Sequence, residues 1–496
     1  MNERVLLTGA SGSMGFEAFK LLWERRERYE IVLLLRPSKK NRRLFRPYER
    51  DGAGLKIVWG DALNREDVEE ACRGIDWCLH TMALIPPAAD RDPEMVYRVN
   101  LQGTRHIVEA IEAENPEHTR MVHIGSVAQY GDRLPPVHVG RTGDPILPSV
   151  GDHYALSKIS AELVVMQSRI RHRVSLRQTF IMIPGIFSLM DPIMFHQPLH
   201  TCMENITVRD AGRLLVSCLE VPGDSGFWGG YFNISGGAQC RTTYIGFLER
   251  IYRMLGLDAR KVMKRHWFAL KNFHQQFYDD ATQLNKYLQH WGGGESQEDF
   301  YREVWSTFPW YLQLTAWCNR YVPPFRWLVG VITYSQLKKL ALKPRGALRW
   351  IREDDRGRID AFFGSKEAWE NIPDWDAPFP PLDHDQPYTR LDHGYDESKR
   401  KLEMADLQKA AGFRGGSLLN GSPDGAGTPG DASWSGEIDM KLTWSCCQGH
   451  TFEMTPHAVL KGGHWCPECI APPWSYDAVA TKSGFAAQVL KPSALS

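Results

Sequence analysis

Short apolar runs alternate with amphipathic stretches through the first 180 residues. Val5 to Leu7, Ile31 to Leu35, Leu55 to Val58, Asp76 to His80, Arg120 to Ile124 and Val174 to Phe180 are runs of strand length. Between them, 13–26, 64–73, 92–113 and 152–169 place apolar side chains at helical spacing. Strands alternating with helices of this length predict βαβ units in an α/β fold, a doubly wound Rossmann parallel sheet. Its crossovers should be right-handed, with ligands over the carboxyl ends of the strands.

The alternation fades near residue 185. The chain then becomes irregular and rich in Trp, Tyr, Phe and Pro, with an amphipathic helix expected at 242–256 and an aromatic-heavy helical region at 303–337. Gly421 to Gly436 lacks apolar content and reads as a flexible linker. The expected organisation is a Rossmann domain over 1–184 and a smaller α/β substrate domain with aromatic-rich helices over 185–415. A linker at 416–436 and a zinc-ribbon-like module with tail at 437–496 follow. Trp267, Trp305, Trp310, Trp317, Trp327, Phe273, Phe277, Tyr278 and Phe325 are expected to be mostly core, since aromatics bury large areas. Some could line a pocket or lid for a hydrophobic carbonyl compound. An interfacial membrane helix would want a Lys/Arg-rich polar face beside the aromatics, and none is evident.

Composition narrows the classes. Lys+Arg and Asp+Glu both total 59, so no basic excess argues for nucleic acid. No basic stretch followed by an apolar run and a small-residue cleavage site follows Met1, and no apolar run reaches the length of a membrane span. A soluble, cytoplasmic protein is the expectation. Six cysteines (Cys72, Cys78, Cys202, Cys218, Cys240, Cys318) are scattered in apolar contexts and read as small buried hydrophobes. The other four crowd between 446 and 469, as in a metal site of a reducing compartment.

Gly9-Ala10-Ser11-Gly12-Ser13-Met14-Gly15 follows the first strand and opens a helix. Gly9 allows the tight turn, Gly12 lets backbone approach a pyrophosphate, and Gly15 lets helix and strand pack closely. The helix N-terminus offers free N–H groups to phosphate. After the second strand comes a basic loop, Arg36-Pro37-Ser38-Lys39-Lys40-Asn41-Arg42-Arg43, with no acid at the strand end. An acid there would suit the ribose hydroxyls of NAD. Arg36, with Lys39 or Lys40, suits the extra phosphate of NADP instead, with NAD as the alternative.

With these residues in view, the first 250 positions resemble the extended short-chain dehydrogenase/reductase family. Further motifs fit in order: Gly60-Asp61 before Ala62, Asp76 to Ala83 with Met82 and Ala83 at its end, and Asn100 with Gly103-Thr104. Gly125-Ser126 to Gly131, Tyr154-Ala-Leu-Ser-Lys158 and Ile206 to Asp210 complete the set. The resemblance implies that Asp61 contacts adenine, that Ala62, Met82, Ala83 and Asn100 border the cofactor, and that Lys158 holds the nicotinamide ribose. It also implies dimerisation through the helices at 92–113 and 152–169.

Hydride chemistry at a carbonyl needs a proton donor for the developing alkoxide. A phenol near pKa 10 serves poorly as a base unless its anion is stabilised. Tyr154 and Lys158 stand four apart, hence on one helical face, so the ammonium should lower the phenol's pKa. Ser126, at a strand's carboxyl end, can hydrogen-bond the substrate oxygen. The expected function is NADP-dependent reduction of a carbonyl, or oxidation of the alcohol, of a hydrophobic or aromatic small molecule through Ser126, Tyr154 and Lys158. Two alternatives stand: a nucleotide-sugar epimerase or dehydratase with bound NAD, and a non-catalytic dinucleotide sensor or scaffold.

Near the carboxyl end, Cys446-Cys447-Gln448-Gly449-His450 is followed by Cys466-Pro467-Glu468-Cys469. Two ligand pairs on tight turns suit a closed, tetrahedral, structural zinc site, and the first pair resembles a zinc-ribbon knuckle. Cys446, His450, Cys466 and Cys469 are the expected ligands. Cys447 could replace Cys446, and His464 or His457 could replace His450. The module is expected to dock onto the enzyme or onto a subunit partner.

Overall fold

The computed structural model describes the chain except Met1, Ala53, 186–189, 292–295, 380–381, 383–385, Arg400, 420–435 and 492–496. Most of the expected linker therefore lies outside the described residues. Six expected strands are present: β1 (Glu3–Thr8), β2 (Tyr29–Leu35), β3 (Leu55–Trp59), β4 (Trp77–His80), β5 (Arg120–Ser126) and β6 (His172–Gln178). A seventh, β7 (Tyr231–Ile234), joins the edge beside β6. All pair in parallel, in the order β7-β6-β5-β4-β1-β2-β3. The order reverses between β1 and β4, which opens the crevice where such sheets take ligands.

Apolar layers on both faces explain the near-continuous hydrophobic strands. One face packs Leu7, Leu33, Leu79 and Val122 against α1 (Ser13–Glu24). The other packs Leu6, Val32, Cys78 and Met121 against α3 (Arg65–Cys72) and α5 (Gly103–Glu114).

Two helices differ from expectation. Lys39–Asp51 is a helix, α2, whose first turn is capped by Ser38 accepting from the Asn41 amide at 3.1 Å. Lys39, Lys40, Arg42 and Arg43 thus lie on a helix and not in a basic loop. It buries only Asn41 and Phe45, too little apolar content for a helical pattern to stand out. The single helix expected over 92–113 is interrupted. A short α4 (Pro93–Tyr97) passes into a π-turn at Arg98–Gln102 before α5 begins.

Helix α6 (His153–Met166) follows β5, and α7 (Val208–Ser217) packs beside α1. The second part centres on α8 (Tyr244–Met254) and a core holding Trp267 and Phe268. The aromatic helical region splits at Val322-Pro323 into α9 (Trp310–Tyr321) and α10 (Pro323–Ala341), which pack against each other. Trp267, Phe277 and Tyr278 are buried as expected. Trp310, Trp317 and Trp327 are not: they are 74%, 54% and 70% exposed.

The carboxyl-terminal unit combines α11 (Met404–Phe413) with an antiparallel sheet of β8 (Ser417–Leu418), β9 (Leu442–Ser445) and β10 (Thr451–Met454). No helix of the described residues is long and apolar enough to cross a membrane.

Candidate functional site

The glycine loop has the form its spacing demands. Gly9 is left-handed (φ +72°), and a Cβ there would meet the Met82 amide at 2.8 Å. A Cβ on Gly15 would meet the Gly9 carbonyl oxygen at 2.3 Å, so only glycine allows the first turn of α1 to approach the loop. Gly12 caps α1 with no side-chain hydrogen bond and no acid in the first turn. The N–H groups of Ser13 and Met14 remain open to an anion, beside the partly exposed Ser11.

At the end of β2, Arg36 is exposed and its carbonyl accepts from Asn41 at 2.9 Å. Lys39, Lys40 and Arg43 are exposed on the first turn of α2, and Arg42 lies over the Trp59 ring at 4.6 Å. Among the described residues none of these cations pairs with a carboxylate. Asp61 follows β3, where one carboxylate oxygen accepts from the Leu63 amide at 3.0 Å. Ala62 is buried beside it, with its carbonyl against His106.

Asn100 sits in the π-turn, fully buried. Its carboxamide accepts from the Leu84 amide at 2.7 Å and donates to the Leu84 carbonyl at 3.1 Å and to Ser157 Oγ at 2.9 Å. Ser157 in turn donates to the Tyr154 carbonyl at 2.7 Å. One side chain thus ties the segment carrying Met82 and Ala83 to the helix carrying Tyr154, and the π-turn aims it there. A second buried chain runs Thr8–His80–Thr104, each link 2.8 Å, and ends on the Asn100 carbonyl at 2.6 Å. Burial, with Lys158 nearby, holds His80 down to about 3, so it stays neutral and serves as a strut.

Ser126 ends β5, where its hydroxyl accepts from the Ala128 amide at 3.2 Å and its own amide donates to Gln129 at 2.7 Å. Burial raises the Tyr154 phenol to about 12, and a hydrogen bond from Ser126 pulls the other way. The expected lowering of that phenol by Lys158 does not occur, because burial dominates and the ammonium is not among the groups that move it. Lys158 is buried one turn further on, and its own pKa is lowered by burial to about 8 against the pull of Glu162. No hydrogen bond or ion pair to its ammonium forms among the described residues, which leaves the charge for a ligand.

Glu162, another turn along α6, went unnoticed in the sequence. Its buried carboxylate accepts from Arg177 Nη2 at 2.7 Å, Ser175 Oγ at 2.6 Å and His464 Nε2 at 2.7 Å. Arg177 also reaches the Gly462 carbonyl at 2.6 Å. Spacing of i, i+4 from Lys158 was the only signal available for Glu162. His464 and Gly462 belong to the carboxyl-terminal module, which is therefore docked on the helix that carries Tyr154 and Lys158. Trp474 adds an edge-on contact with His153 at 5.7 Å, and Tyr476 donates to the Pro148 carbonyl at 2.6 Å. Leu163 packs into the module's core, covering one side of the helix pair implied in dimerisation.

Within the module, Cys446 and His450 flank the turn between β9 and β10, with Gly449 left-handed (φ +87°). Cys466 caps a one-turn helix, Pro467–Ile470, that carries Cys469. Sγ of Cys446 lies 3.4 Å from His450 Nδ1 and 3.5 Å from Cys469 Sγ. His450 Nδ1 lies 3.5 Å from Cys466 and from Cys469. A tetrahedron with zinc–ligand bonds of about 2.0–2.3 Å has edges of roughly 3.5–3.8 Å, so the four donors fit such an ion. Cys447 points elsewhere, toward Gln448, while His464 is committed to Glu162 and His457 to Asp439.

An apolar cavity of about 360 Å³ opens between Leu134 and Pro135 and the second part of the chain, with Leu199, Phe268 and Phe379 in its wall. Neither Ser126 nor Tyr154 lines it, and neither do Trp310 or Trp317, so those tryptophans form no lid over it.

Residues 5–185 match the model of the NAD dependent epimerase/dehydratase family. Among solved structures, the chain is similar to UDP-glucuronic acid 4-epimerase from Bacillus cereus in complex with UDP-glucuronic acid and NAD. Identity is 18% over 62% of this chain and 100% of that one, with a TM-score of 0.48. It is similar to dTDP-glucose 4,6-dehydratase from Bacillus anthracis in complex with NAD, at 19% identity over 62% and 96% with a TM-score of 0.47. A short-chain dehydrogenase/reductase superfamily protein from Agrobacterium tumefaciens with bound NAD gives 19% over 61% and 96%, with a TM-score of 0.44. The matched segment carries the glycine loop, six of the seven strands of the parallel sheet, and Ser126, Tyr154 and Lys158.

Proposed function

We propose that the chain is an NADP-dependent oxidoreductase that reduces the carbonyl of a hydrophobic or aromatic small molecule at Ser126, Tyr154 and Lys158. The observation that carries this reading is the placement of Ser126 at the carboxyl end of β5 together with Tyr154 and, one turn further along α6, a buried Lys158 whose ammonium has no hydrogen-bond or ion-pair partner among the described residues. The nicotinamide, when bound, supplies the hydride. The Ser126 hydroxyl then holds the substrate oxygen in line with the phenol. Tyr154, held near 12, remains protonated at neutral pH and donates its proton to that oxygen, which suits reduction. Lys158, whose ammonium has no partner among the described residues, holds the nicotinamide ribose. The open N-terminus of α1 and the backbone of Gly12 take the pyrophosphate, and Asp61 faces the adenine side.

Arg36, with Lys39 or Lys40, takes the 2′-phosphate of NADP. Equilibrium binding tests this: NADPH should bind at least about tenfold tighter than NADH, and Arg36→Ala should erase the difference. Equal affinities, or a preference for NADH, would refute the clamp.

The family match over 5–185 favours a second reading, a nucleotide-sugar epimerase or dehydratase that retains NAD. Protein purified with bound NAD and turning over without net cofactor consumption would select it. In both readings Cys446, His450, Cys466 and Cys469 hold one structural zinc, with which metal analysis should agree at one ion per chain.

A further inference from the structure

We propose that the hairpin of α9 and α10 is a docking surface for an anionic lipid bilayer. Its outer face is apolar and aromatic yet uncovered. Trp310, Tyr311, Leu314, Trp317, Tyr321 and Trp327 are all exposed, and Leu328, Val331 and Ile332 continue the patch along α10. The connection itself, Tyr321-Val322-Pro323-Pro324, is exposed as well. A soluble surface seldom gathers so many large apolar side chains in one place. Apart from Arg326, the first turns of α10 are apolar all round, the pattern of a helix with no face meant for water. Trp and Tyr are the side chains that settle at the boundary between headgroups and hydrocarbon.

Charge selects the occupant. From Val304 to Arg352 the chain contains eight Lys and Arg and no acid, although the whole chain is neutral. Arg345 pairs with Asp90 and Asp191, and Arg349 pairs with Glu353. Arg320, Arg326, Lys338, Lys339 and Lys343 form no ion pair among the described residues and are exposed. The cations absent from a simple amphipathic reading of the aromatic stretch are thus supplied by the turn and by the second half of α10. A second copy of the chain would bring the same cations to a two-fold contact, with no acid to meet them. Phosphatidylserine headgroups complement them, and each cation near such a surface strengthens the attraction. The hairpin also reaches the interior, since Tyr334 packs on Trp267 at 5.1 Å and the neighbouring Phe268 lines the apolar cavity. Docking would set that cavity close to the bilayer.

Flotation of the full chain with phosphatidylcholine vesicles, with and without phosphatidylserine, tests the proposal. Binding should require the anionic lipid, weaken with salt, and bring quenching of tryptophan fluorescence by brominated lipid. The triple substitution Trp310→Ser, Trp317→Ser and Trp327→Ser, all at exposed positions, should weaken partitioning at least about tenfold while leaving NADPH affinity and circular dichroism unchanged. Salt and lipid dependence of the unsubstituted chain tests the same surface without any variant. Failure to float with either vesicle overturns the proposal. Sedimentation velocity then assigns the face: a dimer dissociated by the triple substitution means a second copy, and a monomer means a polypeptide partner.

Discussion

The substitution Lys158→Met removes a buried charge while keeping the length of the side chain. In the folded protein Lys158 titrates near 8 instead of 10.5, chiefly because burial disfavours the ammonium, with Glu162 opposing. That drop corresponds to roughly 3 kcal/mol against the folded state wherever the group is charged in both states. The penalty is complete below about pH 8. From there to pH 10.5 the unfolded chain binds more protons than the folded one, so the native protein gains stability as pH rises and the penalty disappears. The variant carries no such penalty. The drop already nets the attraction of Glu162 against burial, so the variant should gain about 1–3 kcal/mol at pH 7. Urea unfolding followed by circular dichroism at pH 7 and near pH 10 reads both values. The variant should be more stable at pH 7, nearly equal to the native chain at high pH, and without carbonyl reductase turnover. A variant less stable at pH 7, or an advantage independent of pH, would refute the assignment of a desolvated, ligand-reserved ammonium.

Tyr154→Phe should lower kcat by about 10²- to 10⁴-fold with NADPH affinity unchanged, since the phenol is required only for proton transfer; steady-state kinetics and fluorescence titration separate the two. Glu162→Ala leaves Arg177 charged, buried and unpaired, and should cost about 3–5 kcal/mol in urea unfolding. Removing metal with a strong chelator should release one zinc per chain, detach the module and expose Trp474, giving a red-shifted tryptophan emission and a fall in turnover that added zinc restores.

Much of the sheet could be read from the chain because strands buried on both faces leave continuous apolar runs, and because Gly9, Gly12 and Gly15 answer to one local geometry. The clustering of Cys446, His450, Cys466 and Cys469 was also within reach, although setting Cys447 and His464 aside needed directions that spacing does not carry. The rest was hidden for identifiable reasons. Helix α2 buries two residues and advertises only its charge. Strand β7 is four residues long and finds its partner from the far side of α7. Lys158 and Tyr154 were placed correctly on one face, but the net effect on the phenol depended on burial, which sequence does not disclose. Tryptophans 310, 317 and 327 looked like core because composition reports how much apolar surface a segment owns, not whether a neighbour covers it. The Glu162–Arg177–His464 cluster joins residues some 300 positions apart, and no local pattern announces such a contact.

That cluster also sets an order of events during synthesis. Glu162 and Arg177 leave the ribosome long before Gly462 and His464 exist, so the nascent Rossmann domain must wait with two interior charges only partly provided for. On the proposed zinc site, their last partners arrive on a segment whose own folding is coupled to an ion. On that reading, the interior beside Lys158 is completed only once the module has been made and has taken up its ion, and a product lacking either carries an unfinished interior that protein quality control can recognise.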